Sequence, residues 1–392
     1  MEQCTPTLNT GLRGVTVAST RISDVIGDQG KLIYRGYAIN DLAGKTCFEE
    51  IVHLLLFEKL PDYAELAAFK KRLSEERYIT GEMIAALKTR PSKSLPMDIL
   101  QAAASMLANH DNDLTGKTRE AVLRMGIRLI AKLPAVVAAW ERIRRGLLPV
   151  PPDPELDHAA NFLYMLSGRK PDPEVAGFFD AALVLHAEHS FNASTFAARQ
   201  VASTRAHIYA AISAAIGSLS GELHGGANER VMLMLLDIGG AERVEAYVKR
   251  ILDEGGLIMG LGHAVYKTDD PRARILAPMS KRMGEKAGNT EWYEISKILE
   301  IKGKEAFKQR KSADIYVNVD FYSASLYYSM GIPVDLFTPL FVISRVSGWV
   351  AHVLEEQFAE AAPKAALYRP ESDYIGDYCG PDSCKFIPID KR

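Results

Sequence analysis

At 392 residues the chain is too long for one small core, and its length predicts two or three structural units. Apolar residues make up 47% and charged residues 24%, the balance of a globular enzyme or scaffold rather than a disordered chain. Lys plus Arg (47) nearly cancels Asp plus Glu (49), which excludes a general nucleic-acid binder and leaves only local anion sites.

The opening MEQCTPTLNTGLRG has no apolar run after a basic start. Its early Glu2 and sparse arginine do not suit a transit peptide, so a cytoplasmic location is the expectation. Period-2 alternation occurs only in GVTVAST (14–20) and KLIYRGYAI (31–39), which predict a small hairpin or sheet. The helical period then takes over. Thr46 and Glu49 read as a capping box before IVHLLLFEKL, with Pro61 as its stop. MDILQAAASMLANH, TREAVLRMGIRLIAKL and EVAGFFDAALVLHAEH read as further helices. LLPVPPDPELDH (147–158) has the composition of a linker, and a domain boundary is expected there from composition alone. The uncharged stretch Ala206 to Gly221 is too short to span a membrane and reads as a packed helix. In VEAYVKRIL, Val244, Tyr247, Val248, Ile251 and Leu252 form one apolar helix face, stopped by EGG. The expected fold is nearly all-α, and with no internal repeat it is a globular bundle rather than a solenoid.

Four stretches carry chemistry. HAEHSFNASTF holds His186, Glu188, His189 and Asn192. GELHGGANER sets His224 against two glycines, where the backbone can approach a ligand closely as a helix begins. IMGLGHAVYKTDDPRARIL puts His263 after a Gly-x-Gly turn and follows it with Arg272 and Arg274. VNVDFYSASLYYSMGIP places Asp320 among apolar and aromatic residues. Each has a bland reading: His186 as a residue covering a helix face, Asp320 as the N-cap of FYSASLYYSM. GLGHAV has Val265 where a dinucleotide fingerprint needs Gly or Ala, and no Walker lysine pattern exists. Cys4 and Cys47 are isolated and Cys379 and Cys384 sit in CGPDSC, no zinc spacing without a second pair. Reduced, non-catalytic thiols are expected.

GLRGV, IYRGYAINDLA, NAST, LHGGANE, GLGHAVYKTDDPRA, NVDFYSAS, LFTPLFVISRVSGWVAH and YRPESDYIG occur in the order and spacing of one family, so that the chain resembles citrate synthases and their relatives the 2-methylcitrate synthases over almost its whole length. LHGGANE is the most specific element. The resemblance implies a large helical domain from residues 1–222 and 330–392, with a smaller helical domain, 223–329, inserted between them. The proline run then becomes a loop inside the large domain.

The implied activity, a step of the tricarboxylic acid cycle, condenses acetyl-CoA with oxaloacetate and hydrolyses the thioester to citrate and CoA. Removing a proton from a thioester methyl group needs a base and simultaneous stabilisation of the enolate. Asp320 matches the family's base, His224 the donor to the thioester carbonyl as a neutral imidazole, and His263 the residue that polarises the ketone. Arg272, Arg345 and Arg369 match its dicarboxylate clamps, Arg369 reaching in from the neighbouring subunit of a homodimer, and His189 and Asn192 match its H-x-x-N contribution. The bland reading of Arg345 is a surface or interhelical ion pair. CoA is expected along Ile258, Met259, Gly260, Leu261 and Gly262, with Lys267 and Lys311 near its phosphates. No cofactor or metal is implied, acetyl-CoA being a substrate, and neither nucleic acid nor membrane is a partner.

The chain departs from common bacterial members at HAEHSFNAS and SLPMDILQA, which lack a histidine at Leu95 and an arginine at Gln101. With GLRGV at residue 11, the extra N-terminal β-domain of the hexameric, NADH-regulated type is not expected, and a simple homodimer is implied. Three other readings compete: a 2-methylcitrate synthase using propionyl-CoA; a metal-dependent hydrolase using His186, His189, His224 and Asp320, though H-E-x-x-H spacing is absent; and a non-catalytic helical scaffold.

Overall fold

Three short antiparallel strands precede the helices: β1 (Ser23–Ile26), β2 (Lys31–Tyr34) and β3 (Tyr37–Ala38), in the order β1-β2-β3. The computed structural model describes residues 10–12, 14–376 and 386–392, so Cys4, Cys379 and Cys384 lie outside the described residues; Cys47 is a free thiol. KLIYRGYAI supplies β2 and β3 as expected, but GVTVAST does not form a strand. The partner of β2 is SDVI, with Ser23 opposite Tyr34 and Ile26 opposite Lys31. The four-residue turn Gly27–Gly30 dictates this, because only the residues directly before so short a connection can pair with those directly after it.

Sixteen α-helices follow among the described residues: α1 (Ile39–Leu42), α2 (Phe48–Phe57), α3 (Tyr63–Glu75), α4 (Gly81–Lys88), α5 (Pro96–Leu107), α6 (Arg119–Arg144), α7 (His158–Ser167), α8 (Pro173–His186), α9 (Ala193–Ser203), α10 (Ile208–Leu219), α11 (Ala227–Ile238), α12 (Val244–Asp253), α13 (Pro271–Ala287), α14 (Glu291–Lys311), α15 (Val319–Ser329) and α16 (Phe337–Gln357). The fold is all-α apart from the small sheet. Side-chain caps start most of these helices, such as Asp62 on α3, Thr118 on α6 and Asp157 on α7. The capping box at α2 sits one residue later than the sequence predicts: Cys47 is the N-cap, and Glu50 accepts from its N–H at 2.7 Å. Thr46 is drawn away because its hydroxyl donates to the Leu42 carbonyl at 2.9 Å, finishing α1 instead.

The proline run is a fastened loop between α6 and α7, which pack on each other. Ser74 donates to the Pro154 carbonyl at 3.2 Å and buried Arg77 to the Leu156 carbonyl at 2.6 Å. At the centre of the core lies α16, buried from Phe337 to Glu356 and surrounded by α2, α6, α8, α9 and α10. The stretch Val334–Gln357 is long and apolar enough to cross a membrane, with a mean hydropathy of 1.3, yet its apolar window is buried inside the protein.

A second group packs mainly within itself: α13 on α15, α11 on α15, α12 on α14, and α14 across α15. It meets the first where α11 touches α16 and α13 touches α8, and at the tip of the β1–β2 hairpin. There the Lys267 N–H donates to the Gly27 carbonyl at 3.1 Å and the Lys267 ammonium pairs with Asp28 at 2.8 Å. A Cβ on Gly27 would lie 2.2 Å from the Val265 carbonyl oxygen, so only glycine lets the tip dock.

Gly27→Ala is therefore expected to undock the tip. Amide exchange across residues 263–268 should rise by roughly tenfold while the core helices α6 and α16 keep their protection. Unchanged exchange in that segment would show that the hairpin does not hold it.

Candidate active site

A short antiparallel contact brings distant parts of the chain together. Leu261 bridges to Val317, the Gly262 N–H donates to the Tyr316 carbonyl at 2.7 Å, and the Asn318 N–H donates to the Gly260 carbonyl at 3.0 Å. Gly260 has φ 80°, and a Cβ there would sit 2.8 Å from the Phe321 ring, so the close approach requires glycine. Asn318 then does two things: its Nδ2 donates to the Gly262 carbonyl at 3.1 Å, and its Oδ1 accepts from the Asp320 N–H at 3.0 Å. Asn318, not Asp320, is thus the N-cap of α15. That frees the Asp320 carboxylate, which is not needed as a cap.

His189, Asn192, His224, His263, Arg272, Asp320 and Arg345 line one cavity of about 650 Å³. Arg369 is not among them; it is exposed in the segment after α16, away from its own chain's cavity.

The two histidines are held as opposite tautomers. His224 Nε2 accepts from the Ser194 N–H at 3.1 Å, so a neutral ring carries its proton on Nδ1. His263 Nδ1 accepts from the N–H groups of Val265 at 2.9 Å and Tyr266 at 3.1 Å, so its proton is on Nε2. Both rings stay neutral. Burial, aided by the Arg345 cation, pushes His224 down to about 4, and burial with Arg272 does the same for His263. Each therefore offers one N–H as a donor. Asp320 is shifted the other way: burial pushes its carboxyl up to about 6, although Arg272 and Arg345 oppose the shift, and its buried Oδ1 has no hydrogen-bond partner among the described residues.

The guanidinium groups differ in how they are held. Arg272 is gripped by Asp270, Nε to Oδ1 at 3.0 Å and Nη2 to Oδ2 at 2.7 Å. Asp270 also caps α13 and accepts from the Val319 N–H at 3.1 Å, so one carboxylate fixes both the arginine and the start of α15. The bland reading of Arg345 fails. Only 1% exposed, it donates through Nε to the His186 carbonyl at 2.7 Å and lies 4.7 Å over the Phe341 ring. Its Nη2 has no partner, and no carboxylate stands within ion-pair distance among the described residues. Burial pushes it down to about 10. Such a group leaves a place for an anion.

His189 lies 3.2 Å from the Tyr266 hydroxyl and 5.4 Å from the His263 ring, and burial beside Arg272 and Arg345 keeps it neutral. Asn192 faces the cavity, but its amide is occupied in capping α9: Oδ1 accepts from the Thr195 N–H at 3.1 Å and Nδ2 donates to Thr195 Oγ1 at 3.0 Å. His186 is a core residue. Its Nδ1 meets the Ala182 carbonyl at 2.7 Å and its ring packs on Phe341, which removes one ligand from the metal-hydrolase reading. Among the described residues no three His, Cys, Asp or Glu side chains cluster to hold a metal ion.

The expected CoA residues are only partly brought together. Ile258, Leu261 and Lys311 line a second cavity of about 270 Å³ with Phe307 and Arg310, whereas Gly262 lines the main one; Met259 and Gly260 line neither. Lys267 is elsewhere, engaged with Asp28 at the hairpin tip. Asp270, Ser194, Asn318 and Arg310 escape the sequence reading. An Asp directly before a helix-starting Pro271 was the available signal for Asp270; the other three carry none that distinguishes them from ordinary polar residues.

The family profile described as Citrate synthase, C-terminal domain, matches residues 11–371. Citrate synthase 2 of Bacillus subtilis (strain 168) is 44% identical over 387 residues, spanning 98% of this chain and 100% of that protein. The 2-methylcitrate synthase of Mycobacterium tuberculosis (strain ATCC 25618 / H37Rv) is 39% identical over 371 residues, 95% of this chain and 91% of that one. The solved citrate synthase of Thermoplasma acidophilum, a ternary complex with carboxymethyl coenzyme A and oxaloacetate, has a TM-score of 0.89 at 31% identity. It covers 99% of this chain and 100% of that chain.

The raised Asp320 pKa sets a stability signature. A carboxyl titrating near 6 in the fold and 3.8 when unfolded favours folding below about pH 4 and loses that contribution as pH rises through 6. Asp320→Asn should therefore stabilise the protein at pH 7.5, by on the order of 2–3 kcal/mol, with the gain vanishing near pH 4. Urea unfolding at the two pH values reads this directly. No gain at pH 7.5 would mean that the carboxylate is not buried as described.

Proposed function

The chain belongs to the citrate synthase family, and from that premise we propose that it condenses acetyl-CoA with oxaloacetate in the cavity between His224, His263 and Asp320. The observation that carries this reading is the meeting, in one cavity, of an unpaired carboxylate of raised pKa, two neutral histidines with opposite tautomers and two buried guanidinium groups. Oxaloacetate enters with its carboxylates toward Arg345 and Arg272, and its ketone oxygen accepts from His263 Nε2–H. Asp320 removes a methyl proton from the thioester while His224 Nδ1–H donates to the thioester oxygen, so that the enolate's charge is met as it forms. The enolate carbon attacks the polarised ketone, the new alkoxide takes the proton of His263 Nε2–H, and the proton that Asp320 removed restores the neutral imidazole. Water then cleaves the thioester, releasing citrate and CoA. Neutral histidines suit this role: a protonated one would draw Asp320 into an ion pair and weaken the base.

In this proposal the CoA nucleotide lies along Ile258–Gly262, with Lys311 and the neighbouring Arg310 near its phosphates. Residues 223–329 move as a smaller unit against 1–222 and 330–392, closing the cavity, whose walls come from both parts. The enzyme works in the cytoplasm as a homodimer in which Arg369, exposed on its own chain, completes the partner's site.

A second reading, 2-methylcitrate synthase, is supported by the 39% identity to the mycobacterial enzyme and differs only in the acyl donor. One methylene in an apolar pocket is worth about 1–3 kcal/mol of discrimination, or roughly 10- to 200-fold. Acetyl-CoA is expected to show a specificity constant at least about tenfold above that of propionyl-CoA in thiol-release kinetics with oxaloacetate. The reverse order would assign the second reading, and no thiol release with either thioester would remove both.

A further inference from the structure

Directly beneath the loop that carries His189 runs a chain of buried polar side chains on which the condensation makes no direct demand. Glu188 is fully buried; its Oε1 accepts from the Ser23 hydroxyl at 2.8 Å and faces His352 Nε2 at 3.0 Å. His352, also fully buried, has its Nδ1 2.9 Å from Arg199 Nη1. Arginine can only donate, so Nδ1 must accept, the His352 proton must lie on Nε2, and the bond to Glu188 has one possible direction. Arg199 is itself held by Glu355 at 2.7 Å and by Glu356 at 2.7 Å, and its guanidinium lies 4.6 Å over the Phe191 ring. Glu356 accepts in turn from the Tyr368 hydroxyl at 2.8 Å.

The inner end of this chain grips the loop. Ser23, anchored on Glu188, accepts from the Ser190 N–H at 3.0 Å, and Tyr34 donates to the Glu188 carbonyl at 2.9 Å. Ser190 needs that grip, since its φ of 51° is a left-handed conformation that a non-glycine residue adopts at a cost. His189 precedes Ser190, and Asn192, which caps α9 and so sets the Ser194 N–H beneath His224, follows two residues later.

We propose that Arg199, His352 and Glu188 form a one-directional hydrogen-bond relay that positions the His189–Asn192 loop for oxaloacetate, with its outer end fastened at Tyr368. These are positioning residues, since none lines the cavity. The relay acts on binding of the ketoacid rather than on the proton transfer, which belongs to Asp320. It also ties the loop to the segment bearing Arg369, the next residue after Tyr368.

The test compares His352→Phe, which fills the space without polar atoms, with His352→Gln, which keeps a donor toward Glu188 and an acceptor toward Arg199. In His352→Phe the oxaloacetate KM should rise by about tenfold with kcat within about threefold, and hydrogen exchange should rise in residues 187–194 while α13 to α15 stay protected. His352→Gln should return both readouts to near the parent. Tyr368→Phe, a milder change at the half-buried outer end, should raise the same KM by about threefold. The proposal is overturned if His352→Phe lowers only the thermal midpoint and leaves KM unchanged, or, should that variant not fold, if Tyr368→Phe leaves both KM and loop exchange at parent values. The inference rests on the proposed oxaloacetate site. Exchange is read without ligand, so failure of the parent to bind oxaloacetate would remove that site while loop protection still decides whether the relay exists.

Discussion

A guanidinium that is almost wholly removed from water, with no carboxylate within ion-pair distance among the described residues, is the constraint around which this structure is organised. Isolated buried charge costs several kcal/mol unless something compensates. Arg345 recovers part of that through the His186 carbonyl and the face of Phe341, but its buried Nη2 has no hydrogen-bond partner among the described residues. The remainder is left for an anion in the cavity. A dicarboxylate that supplies this anion binds where the protein has already met the cost of burying the cation, which turns a local instability into affinity.

The same low-polarity surroundings decide the chemistry of the neighbours. Burial neutralises His224 and His263, and backbone N–H groups choose which nitrogen keeps the proton, so two residues of one type become donors from opposite ring atoms. Burial also raises Asp320, making it a stronger base than a solvated carboxylate. Arg272 contributes differently: with Asp270 as a permanent partner it is a fixed charge, and the same Asp270 fastens the N-terminus of α15, where Asp320 sits. One buried arginine is left open and the other is closed, and the site needs both.

Much of this was legible in the chain. Helical periodicity predicts the all-α fold, and His224 and His263 stand out because each adjoins glycines that permit close backbone approach. The misses share a cause, competition for a polar group by a partner that local pattern does not reveal. Thr46 loses the α2 cap to Cys47 because the end of α1 claims its hydroxyl. Asp320 is not the cap of α15 because Asn318 is two residues earlier. Lys267 is a natural phosphate ligand by position, yet Asp28 across the hairpin holds it. GVTVAST alternates like a strand, but the turn at Gly27–Gly30 awards the pairing to SDVI. Arg345 could not be read as unpaired from sequence, because the missing partner is a property of the packed core.

The central claim is that Arg345 is buried for a ligand and not for the fold. Oxaloacetate affinity and unfolding free energy of Arg345→Met, measured by calorimetric titration and urea denaturation, test it together. Methionine fills comparable space without charge, so the account predicts a loss of oxaloacetate affinity of at least about 100-fold with stability unchanged or increased. Affinity within error of the parent, or a large loss of stability with affinity intact, would contradict it.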